Sequence, residues 1–567
     1  MSDLRTLPSL PRHSAARTPR HDSPSPPFLP MNALRRFPAI LVALFILAAG
    51  LRAAPSSVEQ WDVFEVALKG PSDGNPFTEV TLSATFTDGV RHVTVDGFYD
   101  GGGVYRVRFM PETPGEWRFE TKSNRWPLTD KSGVFTVTPA KPGNHGPVRV
   151  RNTYHFAYAD GTPFKPVGTT MYSWTHRPAA MEELTLKTLA SAPFNKVRML
   201  VFPQAHGVKF MPPERWPFEG SAGKFDFTRF NPAFFRHLEQ RVGQLRDLGI
   251  QADLILFHPY DDDEEWGFET MDAASDDRYV RYLVARLAAF RNVWWSIGNE
   301  YDFLRTKTEA DWDRWFRLVQ ATDPYQHLRS IHNGRILYDH NKPWVTHVSM
   351  QNAMATEEPG RATLYRDVYR KPIVFDELKY EGTHDLRWAQ LTGPELVRNF
   401  WSCTVAGTYG GHSEFFQDER QVVWLAQGGM LKGESPPRLA FLRQVLEDAP
   451  AGGLNPSDQW QDPRMAGEPG RYYLIYFGEE QPTAWAPKLY RNALTEGMEF
   501  KAEVIDTWNM TVTPVDGVIT TRKLDRYFFG DRDGREIKLP GRKYMAVRLK
   551  WSGGAEPLST AKPPIEP

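Results

Sequence analysis

The chain has 567 residues, more than a single hydrophobic core usually organises, so several domains are expected. Lys+Arg 68 against Asp+Glu 69 leaves a formal net charge of −1, which gives no electrostatic footprint for nucleic acid or an anionic membrane and favours a neutral or small substrate. A lone cysteine, Cys403, excludes an intramolecular disulfide, and stability must come from burial.

In chain order, the first 30 residues carry seven prolines with little apolar content and read as a disordered extension, 1–30. Met31 looks like a second beginning. Arg35 and Arg36, the apolar stretch 39–50 and the small residues Ala53 and Ala54 have the layout of a secretory signal peptide over 31–54, so export to the periplasm or cell exterior is expected. The apolar run falls short of the ~20 residues that span a bilayer, which leaves a membrane anchor as the second reading and predicts no stable insertion.

Over 58–140, period-two alternation such as Val104-Tyr105-Arg106-Val107-Arg108-Phe109, broken by Gly, Pro and Asp, predicts an N-terminal Ig-like β-sandwich. From 147 to 450 short apolar strands alternate with amphipathic helices. Eight strands are expected at 164–171, 195–202, 251–258, 293–297, 329–332, 345–350, 372–375 and 403–409. Helices are expected before the third strand, closed by Gly249, and at 278–290, 311–321, 394–401 and 437–448. This is the pattern of an α/β chain folded as a (β/α)8 TIM barrel. A doubly wound open sheet is the alternative, but no Gly-rich phosphate turn follows the first strand. Alternation returns over 453–552, predicting a C-terminal β-sandwich, and 553–567 reads as a fraying tail. The sandwiches are expected to brace the barrel or add a loop to its mouth; nothing in the sequence sets an oligomeric state.

In such a barrel the reactive groups sit where strands end. Two strand ends carry carboxylates: Val293-Trp294-Trp295-Ser296-Ile297-Gly298-Asn299-Glu300 on the fourth and Pro372-Ile373-Val374-Phe375-Asp376-Glu377 on the seventh. Cleaving a glycosidic bond needs one carboxyl group to protonate the leaving oxygen and a second to attack or stabilise the anomeric carbon. Alone, a glutamate after a strand more often caps a helix or forms a salt bridge. Strand-end positions also pick out His258 on the third strand, His332 on the fifth, Gln351 on the sixth and Tyr172 on the first as carbohydrate contacts, with His347 and Ser349 on the Gln351 face. For His347 a satisfied core role is preferred. Trp174, His412 and Trp424 are candidate sugar platforms or contacts. The run Asp261-Asp262-Asp263-Glu264-Glu265 reads as a solvated acidic loop, since it lacks the glycine turn of a calcium loop. No His-x-His or His-Glu-x-x-His pattern calls for a metal, and no cofactor is expected.

The segment Trp295-Ser296-Ile297-Gly298-Asn299-Glu300 resembles the strand-four motif of clan A glycoside hydrolases, in which Asn-Glu carries the acid/base; Glu377 then falls at that clan's nucleophile. The sandwich–barrel–sandwich arrangement over about residues 58–551 resembles bacterial DUF5060/DUF5605 proteins, which are similar to apiosidase-like barrel hydrolases. The resemblance implies retention, Asn299 hydrogen-bonding the sugar hydroxyl beside the anomeric carbon, and Arg198 near the nucleophile. It suggests plant or algal wall glycans as substrate; exo action on a terminal sugar is preferred over endo action. A carbohydrate-binding protein that has lost catalysis is the competing reading.

Overall fold

The computed structural model describes residues 56–204, 212–261, 266–351, 357–416, 422–458 and 460–559. The N-terminal extension and the signal-peptide segment lie outside them, as do 560–567; the start of the expected tail is instead ordered, Gly553 and Gly554 ending the strand Met545–Gly554 by pairing with Glu499 and Met498. Among the described residues no helix is long and apolar enough to cross a membrane.

The N-terminal alternation folds into two facing sheets. Ser57–Glu59, Leu82–Thr87, His92–Asp96, Gly115–Ser123 and Ser132–Thr138 form one; Phe64–Lys69, Phe98–Tyr99 and Val104–Phe109 form the other. Inward-facing rings stack across the gap, Phe64 on Phe135 at 3.7 Å and Phe86 on Phe109 at 4.2 Å. The smaller sheet then docks on the barrel through buried charge. Arg286 of helix Ala273–Leu287, fully buried, bonds Asp100 at 2.9 Å, and Arg108 bonds Glu239 of helix Pro232–Asp247 at 2.8 Å.

Eight parallel strands make the barrel among the described residues: β1 Val167–Thr170, β2 Lys196–Leu200, β3 Gln251–Phe257, β4 Val293–Gly298, β5 Arg329–Ser330, β6 Val348–Gln351, β7 Ile373–Glu377 and β8 Tyr409–His412. The ladder runs unbroken from β5 through β1 to β6. Thr346, just ahead of β6, joins it to β5: its amide donates to the Arg329 carbonyl at 3.0 Å and its Oγ1 accepts from the Arg329 amide at 2.7 Å. Two boundaries differ from expectation. Residues 403–409 do not form the eighth strand; the helix expected at 394–401 runs on as Gly393–Val405, and β8 begins at Tyr409. The apolar run Cys403-Thr404-Val405-Ala406 extends the helix's buried face until Gly407, at φ 66°, ends it. Phe164 belongs instead to a three-stranded sheet, Val148–Arg151, His155–Tyr158 and Pro163–Phe164, that plugs the barrel floor: Phe156 and Phe164 pack on Trp294 of β4 at 5.2 and 5.9 Å. With the floor closed, the chemistry is left to the opposite end.

The C-terminal alternation builds an antiparallel sheet whose long members are Tyr472–Tyr476, Met498–Asp506 and Met545–Gly554, with its own core of Phe500, Ile475 and Val547. It packs on helix Gly393–Val405, Trp401 lying 5.5 Å from Tyr476.

Candidate active site

β4 runs out at Gly298. The Asn299 amide still donates to the Phe257 carbonyl at 2.9 Å, and Glu300 then turns left-handed with φ 43°. For a residue with a Cβ that conformation costs about 1 kcal/mol or more. It redirects the chain into the turn Tyr301–Phe303 and leaves the amide and the carboxylate side by side over the barrel. Three strands further along the chain, β7 solves the same problem with a bulge. Ser349 pairs with Val374 but Gln351 pairs with Glu377, so β7 carries one residue more than β6. Asp376 and Glu377, neighbours in sequence, can therefore both turn inward.

Glu377 is nearly enclosed, its side chain 11% exposed. Its Oε1 accepts from Tyr172 Oη at 2.6 Å and from Arg198 Nη1 at 3.0 Å, and His332 Nε2 lies 3.3 Å away. Burial acts to raise the Glu377 pKa, and the contacts with His332, Arg198 and Tyr172 outweigh it, holding the carboxyl well below the usual range. Of these partners, Arg198 keeps its charge at every working pH. Burial, then the Arg198 charge, lower the His332 pKa. Its tautomer follows from its neighbours. Ser349 donates its single proton to Asp376 Oδ2 at 2.5 Å, so Ser349 Oγ can only accept from His332 Nδ1 at 2.9 Å, which must carry a hydrogen; His332 therefore favours the ionised Glu377 only when Nε2 is protonated as well, and when the ring is neutral Arg198 and Tyr172 are the donors.

Glu300 sits in the opposite environment. Its Oε2 accepts from Tyr260 Oη at 2.6 Å and its Oε1 from Gln351 Nε2 at 2.8 Å, but no cationic side chain pairs with it among the described residues. Burial and then the Glu377 charge raise its pKa. Asn299 links the halves: its Oδ1 accepts from Arg198 Nη2, and its Nδ2 donates to Tyr260 Oη at 2.6 Å. Below this layer, Lys196 Nζ bridges Asp253 and Asp376 at 2.6 and 2.7 Å, all three buried. Lys196 and Arg198 alternate on β2 and so share its inner face.

The structure thus gathers Tyr172, Arg198, Asn299, Glu300, His332, Gln351 and Glu377 into one cluster. His258 stands one step behind, stacked on Tyr260 at 5.2 Å with Nε2 bonded to the Phe202 carbonyl at 3.1 Å; it positions Tyr260. Three side chains lie elsewhere. Trp174 is fully buried with Nε1 on Met199 Sδ at 3.4 Å, and His412 and Trp424, both buried, each bond Thr169 Oγ1, at 3.0 and 2.8 Å. They fill core behind β1 and offer no face to a sugar. His347 packs against Trp294 at 5.2 Å in the floor. Asp261 is not solvated: its carboxylate accepts the Trp266 and Phe268 amides at 2.9 and 2.8 Å, which draws it inside, while 262–265 lie outside the described residues. Two contributors escape a strand-end reading. Tyr260 lies two residues past His258, on the same side of an extended chain, which was a usable signal; Tyr380, buried beside Glu377, had none.

A parallel (β/α)8 barrel with carboxyl groups ending its fourth and seventh strands, one held ionised and one pushed toward protonation, defines a barrel glycosidase. The apiosidase-like catalytic domain matches residues 150–426, and the domains of unknown function DUF5060 and DUF5605 match 57–124 and 460–550. A solved structure from Bacteroides vulgatus, described as a candidate glycoside hydrolase, is 41% identical with a TM-score of 0.85, covering 88% of this chain and 100% of that one. The chain belongs to this family of apiosidase-like barrel hydrolases flanked by DUF5060 and DUF5605 domains. A glycoside hydrolase family 5 structure from Bacteroides vulgatus shares the fold at 14% identity and a TM-score of 0.53, over 72% of this chain and 94% of that one. No curated protein matches the sequence.

Proposed function

We propose that the protein is an exported retaining glycosidase that removes terminal sugars from plant or algal wall glycans, with Glu300 as acid/base and Glu377 as nucleophile. The observation that carries the mechanism is the opposed settings of two carboxyl groups that feel each other's charge: Glu300 is raised by burial and by Glu377, while Glu377 is lowered by the donors converging on its Oε1. In the first step Glu300 gives its proton to the glycosidic oxygen as Glu377 attacks the anomeric carbon, breaking the bond to the leaving group. With Oε1 committed to Tyr172 and Arg198, Oε2 is the atom that attacks. In the second step the Glu300 carboxylate takes a proton from water, the water oxygen attacks the anomeric carbon, and Glu377 is released. On this reading Asn299, held by Arg198 and Tyr260, meets the neighbouring sugar hydroxyl. The substrate class rests on the likeness to the apiosidase-like family, terminal-sugar action is the preferred reading over internal cleavage, and export rests on the 31–54 pattern.

The test is hydrolysis of a panel of aryl glycosides and wall oligosaccharides with the product anomer followed by NMR. Retention is expected, with Glu300→Gln lowering kcat/KM by about 10²–10⁴-fold. An inverted product removes the double displacement, and absence of turnover on every substrate favours the carbohydrate-binding reading.

A further inference from the structure

Beside the active site, three chain segments converge on a second buried cluster. Four residues beyond the nucleophile, Glu381 starts the short strand Glu381–Gly382, which pairs with Glu414–Phe415 just past β8. Glu381, Glu414 and His412 are all buried, and one donor atom from each lies within 4.8 Å of the others. The carboxylates meet over Gly433, where a Cβ would come within 2.4 Å of Glu381 Oε2 and 2.7 Å of Glu414 Oε1.

Charge balance is the first argument. No Lys or Arg forms a salt bridge with either carboxylate among the described residues; Lys432 acts on Glu414 only from the exposed surface. The amides of Lys432, Gly433, Glu434 and Ser435 donate to the two carboxylates at 2.6–3.1 Å, which supplies dipoles but no compensating charge. Buried carboxylates without a cation are expected to take up a proton or hold a metal.

The second argument is His412. Its Nδ1 is occupied by Thr169 Oγ1 at 3.0 Å, while its Nε2 is buried, has no hydrogen-bond partner among the described residues and sits 3.7 Å from Glu414 Oε1. Thr169 Oγ1 also accepts from Trp424 Nε1 at 2.8 Å. An imidazole with one nitrogen fixed by a neighbour and the other bare, facing carboxylate oxygens, is how proteins present histidine to a metal ion.

We propose that Glu381, His412 and Glu414 form a buried divalent-metal site, filled by zinc, that ties the segment following the nucleophile to the end of β8. One nitrogen and two carboxylates suit Zn²⁺ better than the all-oxygen shells of calcium or magnesium. Binding neutralises both carboxylates and releases any proton Glu414 holds.

The test uses full-length protein unfolded in guanidinium with chelator, then refolded with and without Zn²⁺, with metal content by mass spectrometry and Tm by scanning fluorimetry. Zinc-refolded protein is expected to hold about one ion per chain and to melt several degrees higher than the metal-free protein. In Glu414→Gln, bound zinc should fall about tenfold. Wild type that takes up no stoichiometric zinc and melts identically either way overturns the site. Full zinc occupancy in Glu414→Gln would also overturn it. Should the variant not fold, the wild-type comparison decides.

Discussion

Tyr260→Phe should extend activity to higher pH. Tyr260 Oη donates to Glu300 Oε2 at 2.6 Å, and burial together with the Glu300 charge keeps the phenol well above 10, so it remains a donor at any working pH. A donor to the ionised carboxylate favours that form and lowers the Glu300 pKa, opposing the burial that raises it. Hydrogen bonds to charged groups contribute about 1.5–3 kcal/mol net, and one pKa unit corresponds to about 1.4 kcal/mol, so losing the hydroxyl should raise the Glu300 pKa by about one to two units. Gln351 still holds Oε1 at 2.8 Å, which keeps the carboxyl in place. Double displacement needs Glu300 protonated and Glu377 ionised; activity therefore falls as pH rises through the Glu300 pKa. The assay is kcat/KM against pH on an aryl glycoside, which reports the free enzyme. The alkaline limb should move up by about one to two units while the plateau drops through the lost Asn299 contact. An alkaline limb that stays put, or moves toward acid, refutes the assignment of Glu300 as the acid.

Other perturbations follow from the same contacts. Lys196→Met strands Asp253 and Asp376 in the barrel interior without their shared cation and should cost about 3–5 kcal/mol in urea unfolding; a loss under about 1 kcal/mol would mean the bridge is not closed in solution. Trp174→Ala should also cost about 3–5 kcal/mol while leaving KM of the folded enzyme unchanged; a raised KM with unchanged stability would return Trp174 to the substrate. Acid should destabilise the fold through its buried histidines. Burial holds His176, His340 and His347 at about 3 and His155 and His258 at about 4, below the ordinary 6.5. Between those values the unfolded chain binds protons the folded chain refuses, so stability is full above 6.5 and declines as pH falls toward 4, by about 1.4 kcal/mol per unit for each histidine. Denaturant midpoints flat above pH 6.5 and falling below it are expected; a midpoint that rises on acidification contradicts this.

The barrel was legible because its strands are short buried runs separated by amphipathic helices, a local pattern. The eighth strand was misplaced because an apolar stretch such as Cys403-Thr404-Val405-Ala406 serves a buried helix as well as a buried strand, and only Gly407 marks the change. Glu300 and Glu377 stood out because each breaks an apolar strand at its end. The aromatic candidates did not separate: Trp174 and Trp424 occupy the same kind of position after a strand as Tyr172, and composition says nothing about which ring faces the mouth and which faces the core.

What the sequence by itself determined is therefore the pair of carboxyl groups and the scaffold that presents them, since both are written in contiguous residues with a fixed period. The difference between the two carboxyl groups was decided by tertiary structure alone. Tyr172 reaches Glu377 across 205 positions of chain, Arg198 across 179, and Gln351 reaches Glu300 across 51. A pKa is set by burial and by charges within a few ångströms, and those neighbours exist only once the barrel has closed and β7 has bulged.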